Sequence, residues 1–121
     1  AYLIKGGLTS SRIKVVEVPG GYEIPWAAQE LALSKKYEVV IALGCILRGS
    51  TSQNEHIARS TIQQLHHIAL KTRVPCIVGV ITPDTHEQAM ARTRGALDRG
   101  AEAAQAALEM IALRRGLTRG T

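Results

Sequence analysis

The stretch that decides the fold is Val39-Val40-Ile41-Ala42-Leu43-Gly44-Cys45-Ile46-Leu47-Arg48-Gly49-Ser50-Thr51. It begins with apolar residues that do not alternate with polar ones, which is typical of a strand covered by helices on both faces of a parallel sheet. Gly44 interrupts this apolar run, and the stretch ends with an arginine, Arg48, and two hydroxyl side chains, Ser50 and Thr51. Because ligands of such sheets bind beyond the carboxyl ends of the strands, the stretch predicts a polar ligand site after the strand.

The residues that follow have the spacing of a helix capping box. Ser52 supplies a hydroxyl, and Glu55 supplies a carboxylate three positions later. A helix beginning near Ser52 would present unpaired backbone N–H groups and a positive dipole end beside Ser50 and Thr51, with Arg48 close by. This arrangement suits phosphate, although an ordinary strand-loop-helix connection with a surface arginine has the same local sequence.

The remaining pattern alternates strands with helices. We expect strands at 13–18, 38–43 and 76–82, and helices at 25–33, 55–71, from Thr85 toward Arg94, and at 101–115. The helix at 55–71 has a predicted buried stripe, and the helix at 101–115 has a predicted small-residue face suited to close packing. The stripe holds Ile57, Thr61, Leu65 and Ile68, with Ala58, Ile62 and Ala69 beside it, and the small-residue face holds Ala104, Ala107, Leu108, Ile111 and Ala112. This order predicts a three-layer α/β domain with a parallel sheet and right-handed crossovers. Three strands are few for such a sheet, and the opening residues resemble the last turn of a helix. We therefore interpret residues 1–121 as a single domain that is N-terminally incomplete.

Composition narrows the classes of function. The net charge is +5, but the basic residues are scattered and aromatic residues make up only 3% of the chain, which argues against nucleic-acid binding. No apolar run approaches the roughly 20 residues needed to cross a bilayer, and no signal peptide is visible. Cys45 and Cys76 lack metal-ligand spacing and are expected about 15 Å apart at opposite ends of parallel strands. We expect a cytoplasmic protein with free thiols, no metal site and no membrane contact.

Four segments together resemble the 6,7-dimethyl-8-ribityllumazine synthase family of riboflavin biosynthesis. The resemblance covers nearly the whole chain in order. The segments are Val18-Pro-Gly-Gly-Tyr-Glu-Ile-Pro25 with Ala27-Ala28 after it, Ala42-Leu-Gly-Cys-Ile-Leu-Arg-Gly-Ser-Thr51, Gly79-Val-Ile-Thr-Pro-Asp-Thr-His-Glu-Gln-Ala89 running to Arg92, and Gly100 to Leu113.

The resemblance implies a fold, an assembly and a reaction. The fold is a flavodoxin-like three-layer α/β/α sandwich, and members normally carry a further strand and most of a helix before the point where this chain starts. Members form homopentamers, some of which build 60-subunit icosahedral shells, and riboflavin synthase is a candidate partner. The reaction condenses 5-amino-6-ribitylaminouracil with 3,4-dihydroxy-2-butanone 4-phosphate and releases phosphate, without a metal or an organic cofactor.

The same resemblance implies site residues. Those expected beside the ribityl chain and pyrimidine are Gly21, Tyr22 and Glu23, and those expected to give backbone contacts to the ring are Cys45, Ile46 and Leu47. Those expected to hold the phosphate are Ser50, Thr51 and Arg92, with Arg48 nearby. Each has a simpler interpretation: Glu23 suits any helix start, Tyr22 suits core packing, and Arg92 suits a solvated helix surface.

This chain departs from the family at the catalytic position. Gln53 stands where members usually carry a proton-transferring histidine, and glutamine is neither an acid nor a base near neutral pH. Glu55 and His56 are the nearest titratable substitutes, and His56 is expected almost one helical turn from Gln53. A side chain that merely faces solvent or packs is the alternative for His56.

Other departures fall around the expected substrates. Val78 replaces the aromatic residue with which members often cover the heterocycle. Residues 93–99 are shorter than the family's lysine-bearing loop, which leaves Arg94 or Arg99 as a substitute cation. The aromatic-bearing loop after the family's first strand is not in this chain. Two hypotheses follow: a lumazine synthase of reduced activity, or a catalytically impaired member that serves as a pentameric or shell-forming assembly protein.

Overall fold

The computed structural model describes residues 12–45, 52–81 and 99–118. A 3-10 turn, Gly21–Glu23, leads directly into the first helix. The elements are α1 (Ile24–Leu33), β1 (Val40–Cys45), α2 (Ser52–Thr72), β2 (Cys76–Ile81) and α3 (Arg99–Thr118). The predicted helix that opens at Thr85 lies outside the described residues.

The two strands form a parallel sheet. Val40 is opposite Cys76 and Cys45 is opposite Ile81. The Val40 N–H donates to the Pro75 carbonyl at 2.9 Å, and this bond begins the ladder. The strand β1 therefore starts at Val40. It ends at Cys45, so both of its ends lie two residues further along the chain than in the predicted strand 38–43. The register also places the two cysteine positions at opposite ends of the strands, as predicted.

The predicted strand at 13–18 is wrong. These residues belong to no helix or strand, and the only sheet within the described residues has two strands, β1 and β2. A β-strand is defined by its ladder partner, and a cavity separates 13–18 from β1. The segment does alternate apolar and polar residues, but no described residue pairs with it to form a strand.

Helices lie on both faces of the sheet, which confirms the α/β class with a parallel sheet. On one face, α1 and α2 pack against each other and against the strands, and their buried residues form one core with Val40 and Ala42. On the other face, α3 contacts both strands. Its approach is close, because a methyl group added at Gly79 would lie 3.4 Å from Ala103 Cβ.

Helical periodicity explains which faces are buried. On α2 the buried residues are spaced by three and four positions, which is the period of one helical stripe; they are Ala58, Thr61, Leu65 and Ile68. The other large residues of the predicted stripe are less covered, since Ile62 is 39% exposed. On α3 the buried residues are Ala103, Ala104 and Ala107. The predicted small-residue face of α3 is therefore correct at Ala104 and Ala107, whereas Ala112 is exposed.

Candidate functional site

The carboxyl edge of the sheet is where the candidate site begins. Cys45 and Ile81 end neighbouring parallel strands directly opposite each other, so the chain leaves both strands on the same side. After β1 the described chain resumes at Ser52, the first residue of α2. A helix start therefore comes soon after a strand end, as the capping pattern predicts. Such starts present N–H donors and a partial positive charge.

The turn Gly21–Glu23 is tied to α2 by one side chain. Thr61 donates its hydroxyl proton to the Gly21 carbonyl at 3.0 Å, and Thr61 is only 2% exposed. A second bond closes the turn, from the Glu23 N–H to the Gly20 carbonyl at 3.2 Å. The periodicity of α2 places Thr61 on the predicted stripe but does not predict this contact. A threonine among Leu, Ile and Ala positions was the available signal, because a buried hydroxyl needs a hydrogen-bond partner.

Gly44 lets α1 approach the end of β1. A Cβ at this position would lie 3.0 Å from Ile24 Cδ1, which is closer than carbon atoms normally approach. Ile24 is the residue that follows the turn Gly21–Glu23, and it belongs to the buried core. The glycine in the apolar run thus serves packing, and it fixes the turn beside the carboxyl edge of the sheet.

Two predicted site residues in the turn face solvent. The Tyr22 side chain is 71% exposed, so its interpretation as a core-packing residue is wrong. Glu23 is also exposed and makes no side-chain capping bond to α1, although it occupies the N-cap position. Its carboxylate is therefore available at the surface of the turn. Trp26, one helical turn after Tyr22, is 69% exposed.

Gln53 and His56 both lie in the first turns of α2 and are exposed. Residues three apart on a helix are neighbours on its surface, with Cβ atoms about 5–6 Å apart. The third titratable candidate, Glu55, pairs with Arg59 at 3.8 Å across one helical turn. His66 and His67, further along the same helix, are also exposed.

Val78 lies on β2 opposite Ala42 and is 41% exposed. No aromatic group of the described residues covers it, so the side chain is partly open at this point of the strand. The remaining predicted site residues lie outside the described residues. They are Ile46, Leu47, Arg48, Ser50, Thr51 and Arg92, and for Cys45 only the backbone is described.

A cavity of about 720 Å³ lies beside β1 rather than over its carboxyl end. Of the predicted site residues, only Gly21 lines it. At the opposite end of β1, the Arg115 guanidinium hydrogen-bonds both carboxylate oxygens of Glu38, and this bond lowers the pKa of Glu38 despite partial burial. Burial raises the pKa of the Cys76 thiol. Neither shift belongs to a predicted catalytic residue.

Within residues 12–45, 52–81 and 99–118, no group of three or more His, Cys, Asp or Glu residues is arranged to hold a metal ion. In the same part of the chain, no helix combines the length and the apolar character that crossing a bilayer requires.

The chain matches a known protein family. The model of the family described as 6,7-dimethyl-8-ribityllumazine synthase matches residues 1–115 of the 121-residue chain. The match includes every predicted site residue, among them those that lie outside the described parts.

Proposed function

The chain belongs to the 6,7-dimethyl-8-ribityllumazine synthase family, and on this premise we propose that it condenses 5-amino-6-ribitylaminouracil with 3,4-dihydroxy-2-butanone 4-phosphate. The family membership itself gives a lumazine synthase-type transferase function in riboflavin biosynthesis. The proposed reaction releases inorganic phosphate and closes a pyrazine ring. The observation that carries the proposal is the family match over residues 1–115, which spans the whole carboxyl edge.

The start of α2 supports the phosphate part of this proposal. Ser50 and Thr51 immediately precede Ser52, the first residue of α2. Hydroxyl side chains beside a helix start can add donors to the unpaired backbone N–H groups, and the dipole favours an anion there. In the proposal Ser50, Thr51 and Arg92 hold the phosphate of the butanone, with Arg48 nearby.

The turn Gly21–Glu23 supports the part of the proposal that concerns the other substrate, 5-amino-6-ribitylaminouracil. Its backbone is held by the Thr61 hydroxyl at 3.0 Å, while Tyr22 and Glu23 face outward. We assign these residues to the ribityl chain and pyrimidine, with backbone contacts to the ring from Cys45, Ile46 and Leu47. Val78 takes the position beside the heterocycle without the stacking that an aromatic residue would add.

Catalysis in this scheme depends mainly on positioning. Holding two reactants in a reactive geometry can lower a barrier by roughly 7–11 kcal/mol, whereas one general acid or base typically contributes about 10²–10⁴-fold. Gln53 removes the usual proton-transfer group, so the proposed enzyme is slower than a member with histidine but active. His56, exposed on the same helix end, is the proposed substitute.

The experiment is single-turnover absorbance of lumazine formation with both substrates, from about pH 5 to pH 8, the range in which an unperturbed histidine changes charge. We expect slow product formation by the wild-type chain and a rate gain of at least about tenfold in Gln53→His. His56→Ala should lower the wild-type rate. His67→Ala is the matched control, since it removes an exposed histidine from the same helix farther from the site.

Binding of both substrates without product at any pH would contradict the enzymatic proposal. Product from Gln53→His but none from the wild type would instead favour a second function, that of a catalytically impaired assembly protein. One observation favours that function: the Trp26 side chain is 69% exposed on α1, and aromatic residues are enriched at interfaces between subunits.

Oligomeric assembly is a general property of the family, and we propose a pentamer or a larger shell. Native mass spectrometry gives the subunit number directly. Trp26→Glu should lower the assembly state if that tryptophan lies between subunits. Glu30→Gln, a change at an exposed position of the same helix, should leave the subunit number as it is.

A further inference from the structure

A small cavity of about 350 Å³, which we call the basic cavity, lies where β1 begins. Its cations come from two segments, since Lys35 and Lys36 follow α1, and Arg114 and Arg115 belong to the last turns of α3. Among the described residues that line it, the only carboxylate is Glu38. The lining therefore carries a net charge of +3, against +5 for the whole chain. Tyr37 and Thr118 complete the lining.

The basic cavity is remote from the carboxyl edge of the sheet. Glu38 lies two residues before Val40, the first residue of β1, and Arg114 donates to the Glu38 carbonyl at 2.8 Å. The candidate site begins at the other end of β1, after Cys45. A strand of six residues spans roughly 20 Å. The basic cavity is therefore separate from the phosphate position proposed at the start of α2.

Glu38 holds both guanidinium groups in place. Arg115 donates through Nε and Nη2 to the Glu38 carboxylate, and Arg114 donates through Nη1 to the Glu38 carbonyl. A guanidinium group carries five N–H donors, so each arginine keeps donors that have no partner among the described residues. A side chain that is already held loses less freedom when it binds a ligand. Both arginines are thus prepared to bind an anion.

The two lysines are not used to hold the fold together. Both are exposed, and no hydrogen bond or ion pair joins either ammonium group to another described residue. Lys35 has a φ of 62°, in the left-handed region where glycine is favoured after a helix. The chain therefore places a lysine in a strained backbone conformation, and its charge pairs with no described carboxylate.

The charges around Glu38 create a positive potential. The pKa of Glu38 is lowered chiefly by the hydrogen bond from Arg115, and the positive charges of Arg115, Arg114 and Arg12 lower it further, although partial burial opposes them. A helix C-terminus by itself favours a nearby cation. This effect does not account for four cations around one cavity, because like charges repel one another until an anion neutralises them.

We propose that the basic cavity binds an anion with two linked phosphate groups, either free diphosphate or the diphosphate part of a nucleotide. A phosphate group carries about 1.5–2 negative charges at neutral pH, so two of them balance the excess positive charge of the lining. Guanidinium groups bind phosphate oxygens in pairs, and lysines act as point charges. Arg114 and Arg115 bind one phosphate group, and Lys35 and Lys36 bind the other. This site does not depend on the proposed catalytic activity.

The test uses the 121-residue chain and sodium diphosphate as the probe. Backbone amide shifts are followed by NMR during separate titrations with diphosphate, inorganic phosphate and ADP. We expect saturable shifts at residues 35–38 and 114–118. Diphosphate should bind at least about tenfold more tightly than inorganic phosphate, because the second phosphate group adds its own hydrogen bonds to cations. Tighter binding of ADP than of diphosphate would assign the site to a nucleotide, and equal or weaker binding would assign it to free diphosphate.

Three variants locate the binding. Lys36→Gln should weaken it at least about tenfold, because it removes one charged hydrogen-bond donor and no contact of the fold. Arg73→Gln is the matched control, since Arg73 also follows a helix with a φ of 66° but does not line the basic cavity. It should leave binding nearly unchanged. Glu38→Gln should tighten binding several-fold, because it removes the carboxylate that competes with the anion for Arg115.

Four results would overturn the proposal. The first is the absence of saturable shifts at residues 35–38 and 114–118. The second is shifts at Ser52 and Gln53 alone, which would place the probe at the start of α2 and leave the proposed enzymatic function intact. The third is an equal loss of binding in Lys36→Gln and Arg73→Gln, which would mean diffuse attraction by net charge. The fourth is equal affinity for inorganic phosphate and diphosphate.

Discussion

The helices α2 and α3 have nearly equal lengths, 21 and 20 residues, but they are held to the sheet in different ways. The helix α2 buries large side chains, with Leu65 fully covered and Ile68 only 4% exposed. The helix α3 buries alanines, and Ala103 lies 3.4 Å from where a Cβ on Gly79 would be. One helix is held by side-chain volume, and the other by the close approach of backbones.

The two helices are also attached near opposite ends of the sheet. The helix α2 is fastened near the carboxyl edge of the sheet, where Thr61 holds the turn Gly21–Glu23. The helix α3 is fastened at the opposite end, where Arg114 donates to the Glu38 carbonyl at 2.8 Å and Arg115 pairs with the Glu38 carboxylate. The α2 contacts therefore position the candidate site, whereas the described α3 contacts attach α3 to the opposite end of the sheet.

The largest effect is expected where α2 depends on volume. Leu65→Ala should lower the free energy of unfolding by about 2–5 kcal/mol, because it leaves a cavity in a fully buried position. Urea unfolding followed by circular dichroism measures the change. Leu70→Ala is the control on the same helix, since Leu70 is 71% exposed. Equal losses for the two variants would show that α2 is not anchored through its buried stripe.

A second prediction tests the close approach of α3. Ala107→Leu should cost about 1–3 kcal/mol of stability, since Ala107 is fully buried and a larger side chain would separate α3 from the sheet. Ala112→Leu adds the same groups at an exposed position and should change stability little. A more stable Ala107→Leu protein would mean that space remains under α3, and the contrast between the two helices would then be lost.

A third prediction links α2 to the site. Thr61→Val keeps the shape of the side chain but removes the hydrogen bond to the Gly21 carbonyl, at a cost of about 1 kcal/mol. It should also raise the KM for the pyrimidine substrate, because the turn Gly21–Glu23 loses its tie. Unfolding by urea and steady-state kinetics measure the two effects.

The control for Thr61 is Thr72→Val. Thr72 donates its hydroxyl to the Ile68 carbonyl at 2.7 Å, on the same helix but at its far end. This variant should lose stability and keep the KM. If both variants raise the KM equally, general loosening of α2 explains the effect, and the specific hydrogen bond from Thr61 to the Gly21 carbonyl does not.

The smallest effect is expected at the α3 anchor. The folded-state pKa of Glu38 lies below its ordinary value of 4.5, chiefly through the Arg115 hydrogen bond. The ion pair therefore contributes stability above that ordinary value, and the contribution is lost as the pH falls through the lowered pKa. Glu38→Gln should be slightly less stable at neutral pH, and its difference from wild type should shrink as the pH falls through the lowered pKa.

Thermal unfolding at several pH values measures this difference. Because the side chains of Arg115 and Glu38 are 50% and 41% exposed, salt should also reduce it. Glu30→Gln removes a carboxylate at an exposed position of α1 and is the control. A difference that persists at low pH would mean that Glu38 acts through packing and not through its charge.

Much of the scaffold could be predicted locally. Periodicity was sufficient for the buried stripe of α2 at Leu65 and Ile68, and the capping pattern was sufficient for its start at Ser52. Local sequence was misleading at residues 13–18, whose apolar pattern suits a strand but has no partner among the described residues. Pairing depends on residues distant in the chain, so periodicity alone does not decide it.

The candidate site, like the scaffold, could be predicted only in part from local sequence. The residue types around Ser50 and Thr51 indicate an anion site because donors and charge are local properties. The contact between Thr61 and Gly21 joins residues 40 positions apart and was not predicted. The exposure of Tyr22 was decided only by the structure, since an aromatic residue before a helix suits a core and a substrate site equally well.

The sequence by itself determined the α/β class, the helices and their buried faces, and the family resemblance, because these depend on residue type and spacing along the chain. Only the tertiary structure decided that Thr61 holds the turn, that Gly44 admits Ile24, and that a cavity lies beside β1. These features depend on which distant segments meet, and a hydrogen bond or a cavity exists only once they have met.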